Sequence, residues 1–231
     1  MAIQNFDKLN IVKRRSEPYE QYFGVMKLTP KQRKRREKLA RDLEDIFYIF
    51  FDVMQIGLAM GVLDEVATKQ ELTYMLYDNI AEGGYFENEE QLDKYVQDLV
   101  NNTYDSTVQN MAKYPNDVSE LDADKDEPTP YWVSDDRAMF ISENEANTLY
   151  NSKEFVEASE QGYTHKIWMS YGDDRVRVTH QIVDGAKVPI GVYFDVGAAR
   201  MLYPKDVSSE FSTGAEHPEE VVSCRCSVKY V

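Results

Sequence analysis

The sequence predicts an α+β protein, with a helical N-terminal domain followed by a small α+β C-terminal domain of short antiparallel strands. Apolar residues recur at helical spacing between residues 29 and 115. Short strand-like runs, separated by Gly, Pro and an Asp-Gly turn, follow one helix within residues 131–231. Between the two domains, residues 116–130 (NDVSELDADKDEPTP) have the acidic, proline-containing composition of a linker. Residues 1–28 show no sustained period and predict an extended arm.

Three helices are predicted before the linker from their start signals. Thr29 and Pro30 form an N-cap followed by proline at the first helical position, which begins a long helix. Thr68 with Glu71, and Asn88 with Gln91, form capping boxes that predict the second and third helices. The apolar run at residues 46–63 carries Asp52 near its centre, which favours a buried core helix over a membrane span.

The C-terminal domain is predicted to combine one helix with short strands. Ser142 is the expected cap of a helix that ends near Gly162. Strands are expected at residues 165–169, 187–190 and 221–228. Residues 175–183 fit two structures: their β-branched side chains favour a strand, whereas Asp173 or Asp174 could cap a short helix.

The charge of the chain is unevenly distributed. Its 231 residues include 26 Lys and Arg and 41 Asp and Glu, a net charge of −15, which disfavours non-specific binding of the whole chain to nucleic acid. Residues 1–41, however, hold 12 basic and 4 acidic side chains, so the remainder has a net charge of −23. The protein is therefore expected to have a short basic head on an acidic body.

A basic run in the opening turns of the first helix is a candidate anion-binding or partner-binding surface. The helix dipole already makes that end positive, and a helix built only for stability would place acids there. The alternative is a solvated face whose positive charge interacts with the protein's own acidic body. The run consists of Lys31, Arg33, Lys34, Arg35, Arg36, Lys38 and Arg41.

Cys224 and Cys226, the two cysteines of the chain, predict a candidate metal site. Residues i and i+2 of a strand share a face, but a disulfide between them would be strained. Together with His180 and His217, two thiolates could form a tetrahedral, structural zinc site. The alternative is two half-buried free thiols and two hydrogen-bonded histidines. The sequence contains neither a phosphate-cradling loop nor an activated nucleophile motif, so no enzyme is expected.

Four ordered motifs lie within residues 137–226. Ile141, Glu145 and Asn151 follow a helical pattern, and Lys166, Trp168 and Ser170 form K-x-W-x-S. The third motif, D-x-R-V-R-x-x-H-x-x-x-D-G in its general form, is matched by Asp174, Arg175, Val176, Arg177, His180, Asp184 and Gly185. The last is C-R-C, at Cys224, Arg225 and Cys226. In this order the motifs resemble those of phage minor head proteins of the Mu F-like head morphogenesis family.

The sequence departs from the family pattern at several positions. Asn144 stands where the family has Thr, and Ser223 where it has Asn before C-R-C. Many members carry C-x-x-C where this chain has Arg177 and His180, and those members look like zinc proteins. Of these two residues only His180 could coordinate zinc, so the resemblance implies a structural zinc site with His217 as the least certain ligand.

The resemblance implies a non-enzymatic virion component of a tailed phage that acts in head morphogenesis at the portal vertex, with a role in DNA packaging or ejection. Its expected partners are the portal protein, the major capsid protein or both, and packaged DNA through the basic segment, with no membrane. The start of the sequence lacks a signal-peptide pattern, which agrees with synthesis in the host cytoplasm. The N-terminal half, with its L-T-P opening, is similar to the helical region of minor capsid proteins from phages of Gram-positive hosts.

Two other functions stay open from the sequence. One is a metal-dependent nuclease or hydrolase that uses His180 and a neighbouring acid. The other is a DNA-binding packaging or ejection factor, whose affinity should fall steeply with salt and depend on residues 33–36.

Overall fold

The computed structural model describes residues 28–119 and 128–231, and it confirms the α+β class. The predicted arm, apart from Leu28, and residues 120–127 of the predicted linker lie outside the described residues. The helices are α1 (Pro30–Met60), α2 (Glu65–Ile80), α3 (Glu89–Lys113), α4 (Asp135–Glu160), α5 (Val178–Ile182) and α6 (Pro218–Val221). The strands are β1 (His165–Met169), β2 (Lys187–Pro189), β3 (Phe194–Val196), β4 (Ala199–Met201) and β5 (Ser227–Tyr230).

Two of the predicted helix starts are confirmed and two are wrong. Thr29 caps α1 in a capping box with Gln32, and Asn88 caps α3. Helix α2 begins earlier than predicted because the Asp64 carboxylate accepts a hydrogen bond from the Ala67 N–H, which places Thr68 inside the helix. Helix α4 likewise begins after Ser134, whose hydroxyl accepts from the Arg137 N–H. Ser142 is therefore an interior residue, and its hydroxyl donates to the Ala138 carbonyl.

The strands form two small antiparallel sheets. The first has the order β2-β1-β5, and the second is the hairpin β3-β4, which the sequence did not predict. The ambiguous residues 175–183 contain helix α5. The predicted strand at residues 221–228 is wrong over most of its length, because α6 ends at Val221 and Ser223 adopts a positive φ of 58°. The extended strand begins only at Ser227.

Helices on both sides of the predicted linker share one hydrophobic core. Helix α1 packs along α4, and buried side chains of α2 and α3 complete the cluster, which runs from Leu39 to Leu149 in sequence. The apolar run at residues 46–63 contributes Phe47, Phe51 and Met54 to this core, and no helix among the described residues is long and apolar enough to cross a membrane. The packing thus joins the two predicted domains through α4.

Arg36 connects α1 to α4 from a buried position. Its side chain is 2% exposed, its Nε donates to Asn147 Oδ1 at 2.8 Å, and its Nη2 donates to the Glu143 carbonyl at 2.8 Å. The guanidinium also forms an ion pair with the Glu143 carboxylate. Arg36 was predicted to belong to an exposed anion-binding run, and its burial corrects that prediction for this residue.

Replacement of Arg36 by Ala should destabilise the fold by about 3–5 kcal/mol, because it removes the buried cation that binds the Glu143 carboxylate and the Asn147 amide. Arg41→Ala is the matched control, since Arg41 lies exposed on the same helix and its removal should cost within about 0.5 kcal/mol. Urea denaturation of both variants measures the difference. Equal effects would contradict the assigned role of Arg36.

Candidate metal centre

Three side chains that are distant in sequence meet in a buried cluster. His180, Cys224 and Cys226 each offer a ligand atom, and these atoms lie within 4.8 Å of one another. The His180 Nδ1 is 3.3 Å from Cys226 Sγ and 3.5 Å from Cys224 Sγ. All three side chains are 2% exposed or less, and both cysteines are free thiols. The structure thus brings together three of the four predicted ligands.

The spacing of these atoms fits zinc. Bond lengths of about 2.3 Å to sulfur and 2.0–2.1 Å to nitrogen, at a tetrahedral angle, place nitrogen and sulfur about 3.6 Å apart. The two nitrogen–sulfur distances of 3.3 and 3.5 Å are close to this value. Two thiolates and one imidazole are also ligands that zinc prefers. His180, Cys224 and Cys226 are therefore the residues that would hold zinc, as a structural cross-link between α5 and the C-x-C segment.

His217 lies outside the cluster. Its Nδ1 is 3.0 Å from Glu219 Oε1, on a half-exposed part of the surface. The reason is local, because His217 immediately precedes α6, and the helical turn directs Glu220 rather than His217 toward His180. His217 is thus corrected from a predicted ligand to a surface residue.

A carboxylate and an aromatic ring fix the orientation of the His180 imidazole. Its Nε2 lies 3.1 Å from Glu220 Oε2, which also accepts a hydrogen bond from the Thr179 hydroxyl at 2.8 Å. Trp168 packs edge-on against the ring, with centroids 5.7 Å apart. A carboxylate on one ring nitrogen leaves the other free to coordinate, which is the usual arrangement around a zinc-bound histidine.

Helix α4 positions the two cysteines through asparagines on one of its faces. Asn147 Nδ2 donates to the Cys224 carbonyl at 3.2 Å, and Asn151 Nδ2 donates to the Cys226 carbonyl at 3.1 Å. The Asn144 Oδ1 accepts from the Ser223 N–H at 2.9 Å, just before the first cysteine. The three asparagines recur about one helical turn apart on α4, and they hold the backbone of residues 223, 224 and 226.

The remaining motif residues brace the loops that surround the cluster. Arg225 forms a bidentate ion pair with Asp173, at 2.8 and 2.5 Å, and its guanidinium lies over the Tyr171 ring. Asp184 accepts from the Ser170 N–H at 2.6 Å, and Gly185 has a φ of 77° that other residues rarely adopt.

Four further motif residues have separate positions. Glu145 accepts a hydrogen bond from the Tyr95 hydroxyl in the helical part, whereas Asp174 and Arg175 are exposed. The Arg177 guanidinium donates to the Val222 carbonyl. Arg177 also lines a cavity of about 10 Å³ beside His180 and both cysteines, which is space for about one water molecule.

Burial and contacts within the cluster shift the pKa values of its groups. Burial lowers the pKa of His180, but the hydrogen bond and charge of Cys224 outweigh burial and raise it. The pKa of Cys224 is lowered, because Cys226 and His180 donate hydrogen bonds to its sulfur, and the pKa of Cys226 is raised because this thiol keeps the shared proton. The Arg225 guanidinium lowers the pKa of Asp173. The metal-free pair thus favours one thiolate.

The basic run of the first helix is divided by the fold. Arg36 is buried and Arg35 Nη2 binds Glu157 Oε1 at 2.5 Å, so both residues connect α1 to α4. The Lys38 ammonium contacts Asp42 at 2.6 Å. Lys31 and Lys34 are exposed and Arg33 is half-buried.

Several residues of the site were not predicted from the sequence. Asn147 follows no motif, although its position one turn before Asn151 places it on the same face of a helix. Glu220 and Thr179 adjoin predicted residues but carry no pattern of their own. Asp173 was not assigned to the third motif, whose aspartate was given as Asp174, although the D-x-R spacing before Arg175 points to Asp173. The pairing of Asp173 with Arg225 depends on a contact across 52 residues.

Comparisons with protein-family models, with curated proteins and with solved structures found no match to this chain.

The chain purified without added metal should contain about one equivalent of zinc. His180→Ala and Cys224→Ser should lose the metal, because each removes one of three ligands, whereas His217→Ala should retain it. Metal analysis of the four proteins measures this, and cobalt substitution should give a thiolate charge-transfer band. Retention of less than about half an equivalent by the unaltered chain would favour two free thiols instead.

Glu220→Gln should weaken zinc binding about 10-fold to 100-fold, because a neutral amide no longer stabilises the imidazole of a zinc-bound His180. Glu219→Gln is the matched control, since the neighbouring carboxylate is exposed and contacts His217. Competition with a chelator gives both affinities. Equal affinities of the two variants would show that Glu220 has no role in orienting the ligand.

Proposed function

We propose that this chain is a non-enzymatic minor head protein of a tailed phage, which is incorporated near the portal vertex and carries a zinc-stabilised binding module. The observation that supports the proposal is the convergence of the family-like motifs. Asn151, Trp168, His180 and Arg225 come from four separate segments, and their side chains all hold, pack on or belong to one buried cluster.

The convergence gives the resemblance a physical basis. Residues that match a motif by accident need not lie close together in the fold. Here Asn151, Trp168 and Arg225 contact either the C-x-C segment or the His180 imidazole. Asn151 bonds the Cys226 carbonyl, Trp168 packs on His180, and Arg225 ties the C-x-C segment to Asp173. The motif therefore encodes one local structure, as a family signature would.

The enclosure of the cluster supports a structural metal over a catalytic one. A catalytic zinc ion needs an open position where substrate can bind. His180, Cys224 and Cys226 are each 2% exposed or less, so little of their surface is accessible to a phosphodiester or peptide. This burial disfavours the hydrolase alternative and favours a module that recognises partners through its surface.

The proposal is tested by the composition of phage heads. The full chain, tagged and produced in cells infected with the phage that encodes it, should copurify with portal-containing heads and be captured by purified portal or capsid protein. Cys224→Ser should reduce incorporation, because zinc no longer cross-links the module, whereas His217→Ala should leave it unchanged.

Two outcomes would overturn the proposal. The first is absence of the chain from purified heads, together with no capture by portal or capsid protein. The second is DNA cleavage by the purified chain with a divalent metal, provided that His180→Ala abolishes the cleavage, since this result would establish the nuclease alternative.

A further inference from the structure

The exposed side of the first turns of α1 carries a row of cations, most of which form no ion pair with the residues that the structure describes. The structure separates the basic run into two groups with different neighbours. Arg35 and Arg36 face α4, where the acids Glu143 and Glu157 bind them. Arg36 is buried and cannot serve an external partner, whereas Arg35 is partly exposed but is held by Glu157.

The second group forms a regular row along the solvent-exposed side of α1. Lys31, Lys34, Lys38 and Arg41 follow one another at intervals of three, four and three residues, which places them on one face of a helix. All four are exposed, and the row extends over about 15 Å of helix axis. We call these four residues the basic stripe.

The cations of the basic stripe are available to a partner. Within the part of the chain that the structure describes, Lys31, Lys34 and Arg41 form no ion pair. Lys38 contacts Asp42, but an exposed pair of this kind contributes only about 0.3–0.5 kcal/mol and can be exchanged for another anion. The first turn of α1 contains no acid, so the positive end of the helix dipole adds to the same field.

We propose that the basic stripe binds the phosphate backbone of double-stranded DNA without reading its sequence. Successive cations lie about 5 Å apart along the axis, which provides a row of positive charge for one DNA strand. Lysine predominates, and lysine binds phosphate as a point charge that needs no fixed geometry. The stripe therefore suits a repetitive backbone that presents the same phosphate at every step.

The composition of the stripe favours DNA over an acidic protein. Protein interfaces have an apolar centre from which charged residues are depleted. The exposed side of α1 between Pro30 and Arg41 has no large apolar side chain, since the exposed fractions above one third belong to Pro30 and to charged residues. The acidic body, with a net charge of −23 beyond residue 41, would be repelled by DNA and would keep the contact at this end.

The inference is tested with purified full-length chain and double-stranded DNA of random sequence. Four phosphate contacts predict that the logarithm of affinity falls with the logarithm of salt with a slope of about −3 to −4, a loss of roughly 100-fold between about 50 and 200 mM salt. A triple variant, Lys31→Gln with Lys34→Gln and Arg41→Gln, should reduce the slope to about −1. Circular dichroism shows that each variant is folded.

The matched control removes the same charge elsewhere. Lys94, Lys187 and Lys229 are exposed and lie outside the stripe, so their joint replacement by Gln should leave the salt slope unchanged. Equal loss by both triple variants would overturn the proposal in favour of a general charge effect. Polyglutamate that competes as well as DNA of equal charge would also overturn it, in favour of an acidic protein partner. DNA binding by purified chain does not depend on incorporation into heads, so the stripe and the head assignment can fail separately.

Discussion

The side-chain amide of Asn147 joins the helical core to the candidate metal centre. Its Oδ1 accepts from Arg36 Nε at 2.8 Å and its Nδ2 donates to the Cys224 carbonyl at 3.2 Å. An aspartate at this position would lose the donor, and a leucine would leave Arg36 Nε and the Cys224 carbonyl without this partner. Asn147 therefore contributes both to the packing of α1 on α4 and to the position of the first thiol.

Because of this connection, metal binding and helix packing are expected to be linked. Zinc would fix the C-x-C segment against α5, and the amides of α4 would transmit that constraint to the helix that faces α1. Another buried polar group of this region, the Lys205 ammonium, is satisfied in the same way. Lys205 is buried, its pKa is lowered by burial to about 8, and its Nζ donates to Asn144 Oδ1 and to the Val221 carbonyl. Such pairs specify one arrangement of the backbone more than they add stability.

The parts of the structure that sequence predicts are those with local causes. Thr29 and Asn88 start helices through partners three residues away, and residues 165–169 form β1 as expected. The apolar run at residues 46–63 contributes to a core as expected, although Ile56 and Met60 within it are exposed. The site, in contrast, depends on contacts between residues far apart in sequence. Asn147 and Cys224 are separated by 77 residues, and no periodicity reports such a pairing.

The errors have the same origin. Thr68 and Ser142 have the sequence pattern of an N-cap. The caps are nevertheless Asp64 and Ser134, because α2 and α4 begin directly after these two residues. His217 has a side chain that suits zinc, yet α6 turns it toward solvent. In each case the residue type suits the predicted role as a cap or a ligand. The position of the residue within the folded backbone excludes that role, and the sequence does not show this position.

Two of the departures from the family-like motif, at Asn144 and Ser223, lie side by side in the structure. Ser223 has a φ of 58°, a left-handed conformation that asparagine adopts more readily than serine, and the family pattern has Asn at this position. Asn144 stands where the pattern has Thr, and its Oδ1 accepts from the Ser223 N–H at 2.9 Å. In this chain the amide side chain therefore comes from Asn144 on α4, and it bonds the backbone N–H of Ser223, the residue with the left-handed conformation. Asn144 and Ser223, which are 79 residues apart in sequence, are therefore direct neighbours in space, and the side chain of one satisfies the backbone of the other.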